Sequence, residues 1–322
     1  PEYRHLVAIA LNNRGPLLMN SGKRAEAEAG YRRALALWEE VAKAGLHLPD
    51  YQRSRASCMQ NLACLLVGRN DLEGAGKLVE QAICVQQEAQ KMDPQHVVGQ
   101  RFLLFHYLQL AEIQTALGRH DEAVRTAEQL SELAPKSWDH ALRAAEIVAA
   151  CCVAKDKSSA LKDDPQKAVR ARRARELLQL AVQRSEGNAD ARTQLAWYLA
   201  QSGPAPVHDA REAVRLAEQA TQWAPDKAPC WSALGTACYR AGDWKAACTA
   251  LDKACRMQDG GKGFDLFFLA MARWQLGEKD RASQLYDQGA AWTRKNQPNN
   301  RELQTVQLEA NALLHGAAQT RR

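Results

Sequence analysis

The fold is decided by a stretch near the start of the chain, residues 11–34, which reads LNNRGPLLMNSGKRAEAEAGYRRA. Its first part carries small and apolar residues at the spacing of one helix face, namely Leu11, Gly15 and Leu18. Gly22 then interrupts the pattern. Its second part carries a further set at helical spacing, namely Ala27, Tyr31 and Ala34. The stretch therefore predicts two helices joined by a tight glycine turn.

The same pattern recurs when the sequence is shifted by 48 residues, and again after a second shift. A small residue of the first helix returns each time, as Gly15, Ala63 and Ala111. A small residue of the second helix returns as Ala27, Ala75 and Ala123. Small residues at a fixed period mark close contacts between helices, and such a period indicates one helix pair stacked on copies of itself. Because a stack presents an extended surface, we expect binding rather than catalysis.

Four segments are predicted along the chain. Residues 1–135 hold three long helix pairs in the 48-residue register, and residues 136–185 hold a divergent pair with a polar loop at 155–164. Residues 186–296 hold three further pairs, and residues 297–322 hold a capping helix and a basic tail. One face of that helix carries Leu303, Val306, Ala310 and Leu313. The chain is thus predicted to be an all-α, right-handed superhelical solenoid of about seven helix pairs with a C-terminal capping helix.

The composition agrees with an all-helical chain. Ala, Leu, Glu, Gln, Lys and Arg dominate the 322 residues, and aromatic residues make up only 6% of them. These abundant residues are good helix formers. Lys and Arg exceed Asp and Glu enough to give a formal net charge of +6, spread along the chain. This mild excess favours solubility and does not by itself indicate nucleic-acid binding.

Cysteine usage and hydropathy predict the compartment. The chain has nine cysteines and no Cys-X-X-Cys pair, which favours a reducing, cytoplasmic setting. Six of the cysteines lie in apolar stretches, where we expect buried thiols. They are Cys64, Cys84, Cys151, Cys152, Cys238 and Cys248. No run of eighteen apolar residues occurs, so no membrane span is predicted. The first residue is Pro rather than Met, which indicates a fragment or a processed product.

Residues 231–254 combine an aromatic residue, a Leu-Gly dipeptide, a turn glycine and later alanines. These residues are Trp231, Leu234, Gly235, Gly242, Ala247 and Ala254. The pattern resembles the signature of the tetratricopeptide repeat family, and six of the seven helix pairs fit it in outline. The resemblance implies a protein-binding solenoid. The first three pairs are longer than the family's usual repeat of about 34 residues, and the closing proline is present only at Pro135 and Pro225.

The last third has a narrower resemblance, carried by GDWKAA from Gly242, FFLAMARWQLG from Phe267 and YDQ from Tyr286. These runs resemble the tetratricopeptide tails of bacterial Hanks-type serine/threonine protein kinases. The resemblance implies an interaction module of a larger signalling polypeptide, or alternatively the C-terminal regulatory tail of such a kinase. The catalytic part would lie elsewhere, because the sequence contains no glycine-rich loop, no His-Arg-Asp and no Asp-Phe-Gly.

Side-chain amides recur at one position of the first helices. Asn13, Asn61 and Gln109 each stand two residues before the small residue of their helix, and Gln194 stands two before Ala196. Two residues correspond to about 200° of helix rotation, so these amides point away from the packing stripe. An amide both donates and accepts hydrogen bonds, and can therefore bind the main chain of an extended peptide. The arrangement resembles the asparagine ladder of the O-GlcNAc transferase superhelix. The competing interpretation is a solvated polar face.

A basic run from Lys167 to Arg175 offers a weaker alternative, nucleic-acid binding through phosphate contacts. Glu176 follows at once and no aromatic residues are interleaved, so a solvated helix is favoured. The segment Gly260-Gly-Lys-Gly263 lacks the Ser or Thr of a phosphate loop. We predict no catalytic residue, cofactor or metal ligand. The expected partner is a protein or an extended peptide, and the oligomeric state stays open.

Overall fold

The computed structural model describes residues 3–153, 165–202 and 207–319. In these ranges the chain forms fifteen α-helices and no β-strand. In chain order the helices are α1 (Arg4–Asn20), α2 (Arg24–Lys43), α3 (Pro49–Gly68), α4 (Leu72–Met92), α5 (Val97–Ala116), α6 (His120–Leu133), α7 (Trp138–Val153), α8 (Pro165–Arg184), α9 (Ala189–Trp197), α10 (Ala210–Trp223), α11 (Ala228–Arg240), α12 (Trp244–Met257), α13 (Gly263–Gln275), α14 (Lys279–Asn296) and α15 (Arg301–Gln319). The predicted all-α fold is confirmed.

The chain divides into two compact units. Unit 1 comprises Pro1–Lys136 and Arg143–Ala174, and unit 2 comprises Ser137–Leu142 and Arg175–Arg322. Within unit 1, α1 packs on α2, α3 on α4 and α5 on α6, and each second helix also packs on the next first helix. Within unit 2, α9 pairs with α10, α11 with α12 and α13 with α14 in the same manner. Both units are therefore stacks of helix pairs.

The small residues of the 48-residue register lie at the helix contacts. Ala63, Ala111, Ala27, Ala75 and Ala123 are completely buried, and Gly15 is buried as well. A Cβ atom at Gly15 would overlap the ring of Tyr31 on α2. The absence of a side chain at this position is what allows the tyrosine to pack against the backbone of α1.

The turns within the pairs follow the predicted pattern with one difference. Four of them place a glycine at positive φ, namely Gly22, Gly118, Gly242 and Gly277. For the turn between α3 and α4, the sequence pattern predicts residues 68–71, beginning at Gly68. Gly68 is the last residue of α3, and Asn70 takes the left-handed conformation with φ of 64°. Asparagine occupies this region more readily than other residues with a side chain.

Several second helices begin at an acidic cap. The carboxylates of Asp71, Asp209 and Asp243 each accept a hydrogen bond from the backbone N–H three residues later, at 2.9–3.0 Å. Such caps satisfy one of the free N–H groups in the first turn and stabilise a helix by about 1 kcal/mol each. They explain why α4, α10 and α12 begin directly after their turns.

Three predicted features fall wholly or partly on residues outside the described ranges. They are the polar loop at 155–164, most of a proline-containing turn that the sequence pattern predicts at 203–208, and the end of the basic tail at 320–322. Before the second of these gaps, α9 continues as a π-helical segment from Tyr198 to Ser202. Beyond it, Val207 is buried and Asp209 caps α10.

The last helix, α15, covers the end of unit 2 as predicted for a cap. Leu303, Val306 and Ala310 are completely buried in one core with α13. The fourth predicted residue, Leu313, is only half-buried, and Leu314 takes the buried position instead. The helix rotates by about 100° per residue, so a shift of one residue moves the apolar face.

Candidate peptide-binding surface

In unit 1 the first helices α1, α3 and α5 share one face, which we call the first-helix face. Asn61 Nδ2 of α3 donates to Asn12 Oδ1 of α1 at 3.0 Å. One step further along the stack, Gln60 Nε2 of α3 donates to Gln109 Oε1 of α5. Amides therefore connect successive first helices, each to a partner 49 residues away.

The predicted amides lie on this face, but they do not form the predicted series. Asn13 is exposed and makes no side-chain hydrogen bond to the described residues, whereas Asn61 and Gln109 are half-buried and bonded to neighbouring helices. Sequence reasoning missed Asn12 and Gln60, which stand one residue before the predicted register positions. Gln194 is exposed on α9 of unit 2.

A groove of about 360 Å³ opens on this face. Its lining comes from α1, α2, α3 and the start of α5, and comprises Ile9, Asn12, Asn13, Trp38, Asp50, Arg53, Ser54, Ser57, His96, Val98 and Phe102. Trp38 is only 1% exposed, and its indole Nε1 has no hydrogen-bond acceptor in the part of the chain that is described. A buried donor without a partner is rare in folded proteins and calls for an explanation.

Charge in the groove is centred on Arg53. Its guanidinium lies 2.6 Å from Asp50 Oδ1 and 3.4 Å from Asp93 Oδ2, and its side chain is mostly buried. Two carboxylates thus share one guanidinium. Among the other lining residues, the His96 Nδ1 atom accepts from the Gly99 N–H at 2.8 Å.

Two apolar side chains of α5 also line the groove. Val98 and Phe102 are 51% and 44% exposed although they are large and hydrophobic. They stand four residues apart on α5 and therefore share one helix face. A ligand in the groove would meet these two side chains as well as hydrogen-bonding groups.

A polar cluster beneath the face holds α3 to α5. His106 is completely buried, and its Nδ1 lies 2.6 Å from Gln60 Oε1. Burial lowers the pKa of His106 to about 4, so the ring is neutral at neutral pH and donates from Nδ1. Gln109 Nε2 donates to Cys64 Sγ at 3.2 Å. The amide of Gln60 thereby contacts both His106 and Gln109.

Two of the six cysteines expected to be buried are exposed. Cys64 of α3 lies beside Gln109 of α5, and Cys84 lies on α4. The prediction was wrong for them because an apolar stretch also contains residues of the outward helix face. The other four are buried as expected, and burial raises the pKa of Cys238 and Cys248 to about 11.

Two arginines of the basic run on α8 form ion pairs within unit 1. The side chain of Arg170 is only 9% exposed, and its Nη2 lies 2.9 Å from Asp121 Oδ1 of α6. Arg173 Nε pairs with Glu128 of α6. These two arginines connect α8 to α6.

No group of three or more metal-binding side chains occurs within the ranges that the structure describes. In the same ranges, no helix combines the length and the apolar character needed to cross a bilayer.

Comparison with known proteins agrees with the helix-pair architecture. The tetratricopeptide repeat family matches residues 107–137, which cover the second half of α5 and all of α6. No curated protein matches the chain. A tetratricopeptide repeat protein from Parabacteroides merdae ATCC 43184 is similar in structure, with a TM-score of 0.50 and 12% identity, over 94% of this chain and 99% of that one.

Two further solved structures are more distant. Yeast Tom70 gives a TM-score of 0.43 and 14% identity, over 92% of this chain and 61% of Tom70. PilF of Pseudomonas aeruginosa gives 0.42 and 17%, over 69% of this chain and 91% of PilF. The likeness to the P. merdae protein shows a similar helical-repeat fold, and the family match is confined to α5, α6 and the residues next to them.

Proposed function

We propose that the chain is a protein- or peptide-binding scaffold, and that the groove on the first-helix face of unit 1 holds an extended peptide segment. The observation that carries this proposal is the buried Trp38 N–H, which has no acceptor among the described residues and lines a groove with two amides and two hydroxyls. A peptide carbonyl is an acceptor of the right kind for this donor. We propose no catalytic role for the groove.

The amides of the face take different roles in this proposal. Asn13 is free to bind the main chain of the peptide, because its side chain has no partner among the described residues. Asn61 instead holds Asn12, and Gln109 holds Gln60, so these two position the face. Val98 and Phe102 offer contact to an apolar side chain of the peptide. Gln194 remains a proposed peptide contact on unit 2.

The experiment begins with a peptide selected from a random display library on the full chain, and its affinity is measured by fluorescence anisotropy. We expect Asn13→Ala to weaken binding about three- to tenfold, since one or two net hydrogen bonds are lost. Asn61→Ala should have a smaller effect, through the freed Asn12. Gln81→Ala, an exposed amide on α4 away from the groove, is the matched control and should change nothing.

Circular dichroism of each variant must match the wild type for the comparison to hold. If Asn13→Ala and the control bind the peptide equally well, the groove is not the site. The triple variant Asn13→Ala, Asn61→Ala and Gln109→Ala then tests whether any part of the amide series takes part in binding.

We further propose that the scaffold belongs to a larger bacterial signalling protein in the cytoplasm. The alternative of a kinase tail is supported by the resemblance of the last third described above. The upstream reading frame tests it: a glycine-rich loop and His-Arg-Asp before Pro1 would favour the kinase. Nucleic-acid binding through Lys167–Arg175 is the weaker alternative, and it predicts an affinity that falls steeply with salt.

A further inference from the structure

The C-terminal helix α15 does more than pack on the last helix pair of unit 2. Its apolar residues Leu303, Val306, Ala310 and Leu314 share one core with residues of α12, α13 and α14. Side chains of the earlier first helices α9 and α11 also join this core, through Trp197 and Tyr239. The helix therefore covers the first-helix face of unit 2, formed by α9, α11 and α13.

Two carboxylates fix α15 to the earlier helices. Glu302 Oε1 accepts from the indole Nε1 of Trp197 on α9 at 3.1 Å. Glu309 binds the guanidinium of Arg240 on α11 with both oxygens, one of them at 2.7 Å. Since the two glutamates stand seven residues apart, they lie on the same side of the helix.

These contacts exceed what a cap needs. A cap must cover the apolar surface of the last pair, α13 and α14. The bidentate ion pair instead contacts Arg240, one helix pair earlier. The hydrogen bond to the indole contacts Trp197, two helix pairs earlier. The guanidinium of Arg240 also lies 5.1 Å from the ring of Phe268, and its Nη2 is 2.5 Å from Gln201 Oε1. This face thus combines a cation, an indole donor and aromatic rings, and its charge and its donors complement the carboxylates of an acidic helix.

We propose that the face of α9, α11 and α13 is a second binding surface, and that a partner protein supplying an acidic amphipathic helix displaces α15 from it. The helix would present two carboxylates seven residues apart beside a row of apolar residues, the pattern of α15 itself. This proposal stands on contacts in unit 2 and is independent of the groove in unit 1.

The link to α14 determines how readily a free helix can compete with α15. α14 ends at Asn296 and α15 begins at Arg301, so the segment that joins the two helices is short. Asn300 caps α15 by accepting from the Leu303 N–H at 3.0 Å. Because the tether keeps α15 at a high effective concentration, a free helix competes only after the contacts of α15 are weakened.

The test uses the full chain with Glu302→Ala and Glu309→Ala, which removes both carboxylate contacts and keeps good helix formers. The probe is a fluorescein-labelled synthetic peptide of residues 300–319 with the natural sequence. We expect the peptide to bind this double variant about tenfold more tightly than the wild-type chain. A peptide carrying the same two alanines should bind the double variant more weakly than the natural peptide.

The matched control chain carries Asp280→Ala and Asp287→Ala, two exposed acidic residues on α14, and should bind the peptide as weakly as the wild type does. Equal binding to all three chains would overturn the proposal. A concentration-dependent dimer of the Glu302→Ala, Glu309→Ala chain in sedimentation would also overturn it, because α15 of a second copy would then be the occupant.

Hydrogen exchange of the wild-type chain provides a measurement that does not depend on a variant folding. We expect the amides of α15 to exchange by local opening, faster than those of α13. If both helices exchange at one rate, α15 opens only when unit 2 unfolds, and displacement by a partner is excluded.

Discussion

The first-helix faces of the two units differ in chemistry and in what covers them. In unit 1 the groove is open and its lining includes amides and hydroxyls, with a buried indole donor that meets no acceptor in the described part of the chain. In unit 2 the face carries aromatic rings and a cation, and α15 covers it. The same helix-pair architecture can therefore display a polar surface suited to an extended chain or an apolar surface that a helix covers.

The largest expected effect concerns one aromatic residue from each face. Phe268 is completely buried between Trp197 and Tyr239, whereas Phe102 is 44% exposed in the groove of unit 1. We expect Phe268→Ala to lower the free energy of unfolding of unit 2 by about 3–5 kcal/mol, because it removes buried surface and leaves a cavity. Phe102→Ala should change stability by less than about 0.5 kcal/mol.

Urea unfolding followed by circular dichroism measures both variants, and hydrogen exchange assigns any loss to its unit. In Phe268→Ala the amides of α15 should exchange faster as well. A loss in Phe102→Ala as large as that in Phe268→Ala would mean that the groove of unit 1 is as closely packed as the covered face.

Much of the fold could be predicted from the spacing of small residues. Gly15, Ala63 and Ala111 report close contacts between neighbouring helices, and such contacts are local in sequence. The same holds for the glycine turns, where a positive φ nearly requires a residue such as Gly22. The position of α15 across α9 could not be predicted. It depends on Glu302 meeting Trp197, 105 residues earlier in the chain.

The candidate site could be predicted only to within a residue. Asn13 and Asn12 are adjacent amides about 100° apart on the helix, and the register alone does not tell which one faces the next helix. In the structure, Asn12 accepts a hydrogen bond from Asn61, and Asn13 is exposed. Trp38 gave no signal in the sequence, because an unpaired indole N–H is visible only once its surroundings are known.

The two units should also respond to acid in opposite directions. Burial lowers the pKa of His106 in unit 1 from 6.5 to about 4. The folded state therefore resists protonation while the unfolded state takes up a proton, and stability is lost as the pH falls from 6.5 towards 4. Between pH 7 and pH 5 we expect a loss of about 2 kcal/mol in unit 1. His106→Gln should remove this dependence in urea unfolding.

Asp265 in unit 2 provides the contrasting group. Burial raises the pKa of its carboxyl above the usual 3.8, although Gln258 Nε2 donates to it at 3.0 Å. Here the charged form is disfavoured in the folded state, so acid relieves a cost, and unit 2 gains relative stability as the pH falls through the raised pKa. Hydrogen exchange at both pH values separates the units. Equal acid losses in α5 and α13 would contradict the expected difference.

The smallest effects concern one ion pair from each unit. Arg119 Nη2 pairs with Glu73 at 2.8 Å in unit 1, where both side chains are about half exposed. Arg240 pairs with Glu309 in unit 2, where both are more buried and the guanidinium lies over Phe268. We expect Arg119→Ala to change the free energy of unfolding by less than about 0.5 kcal/mol, and Arg240→Ala to lower it by about 1–2 kcal/mol.

High salt should make the contrast between the two ion pairs clearer. Raising the ionic strength screens exposed charges more than partly buried ones, so the small effect of Arg119→Ala should vanish at about 1 M salt. Most of the effect of Arg240→Ala should persist, because the variant also loses packing against Phe268 and Tyr239. If salt abolished both effects in urea unfolding, Arg240 would act only as a surface charge. The inference that unit 2 recognises Glu309 specifically would then lose its physical basis.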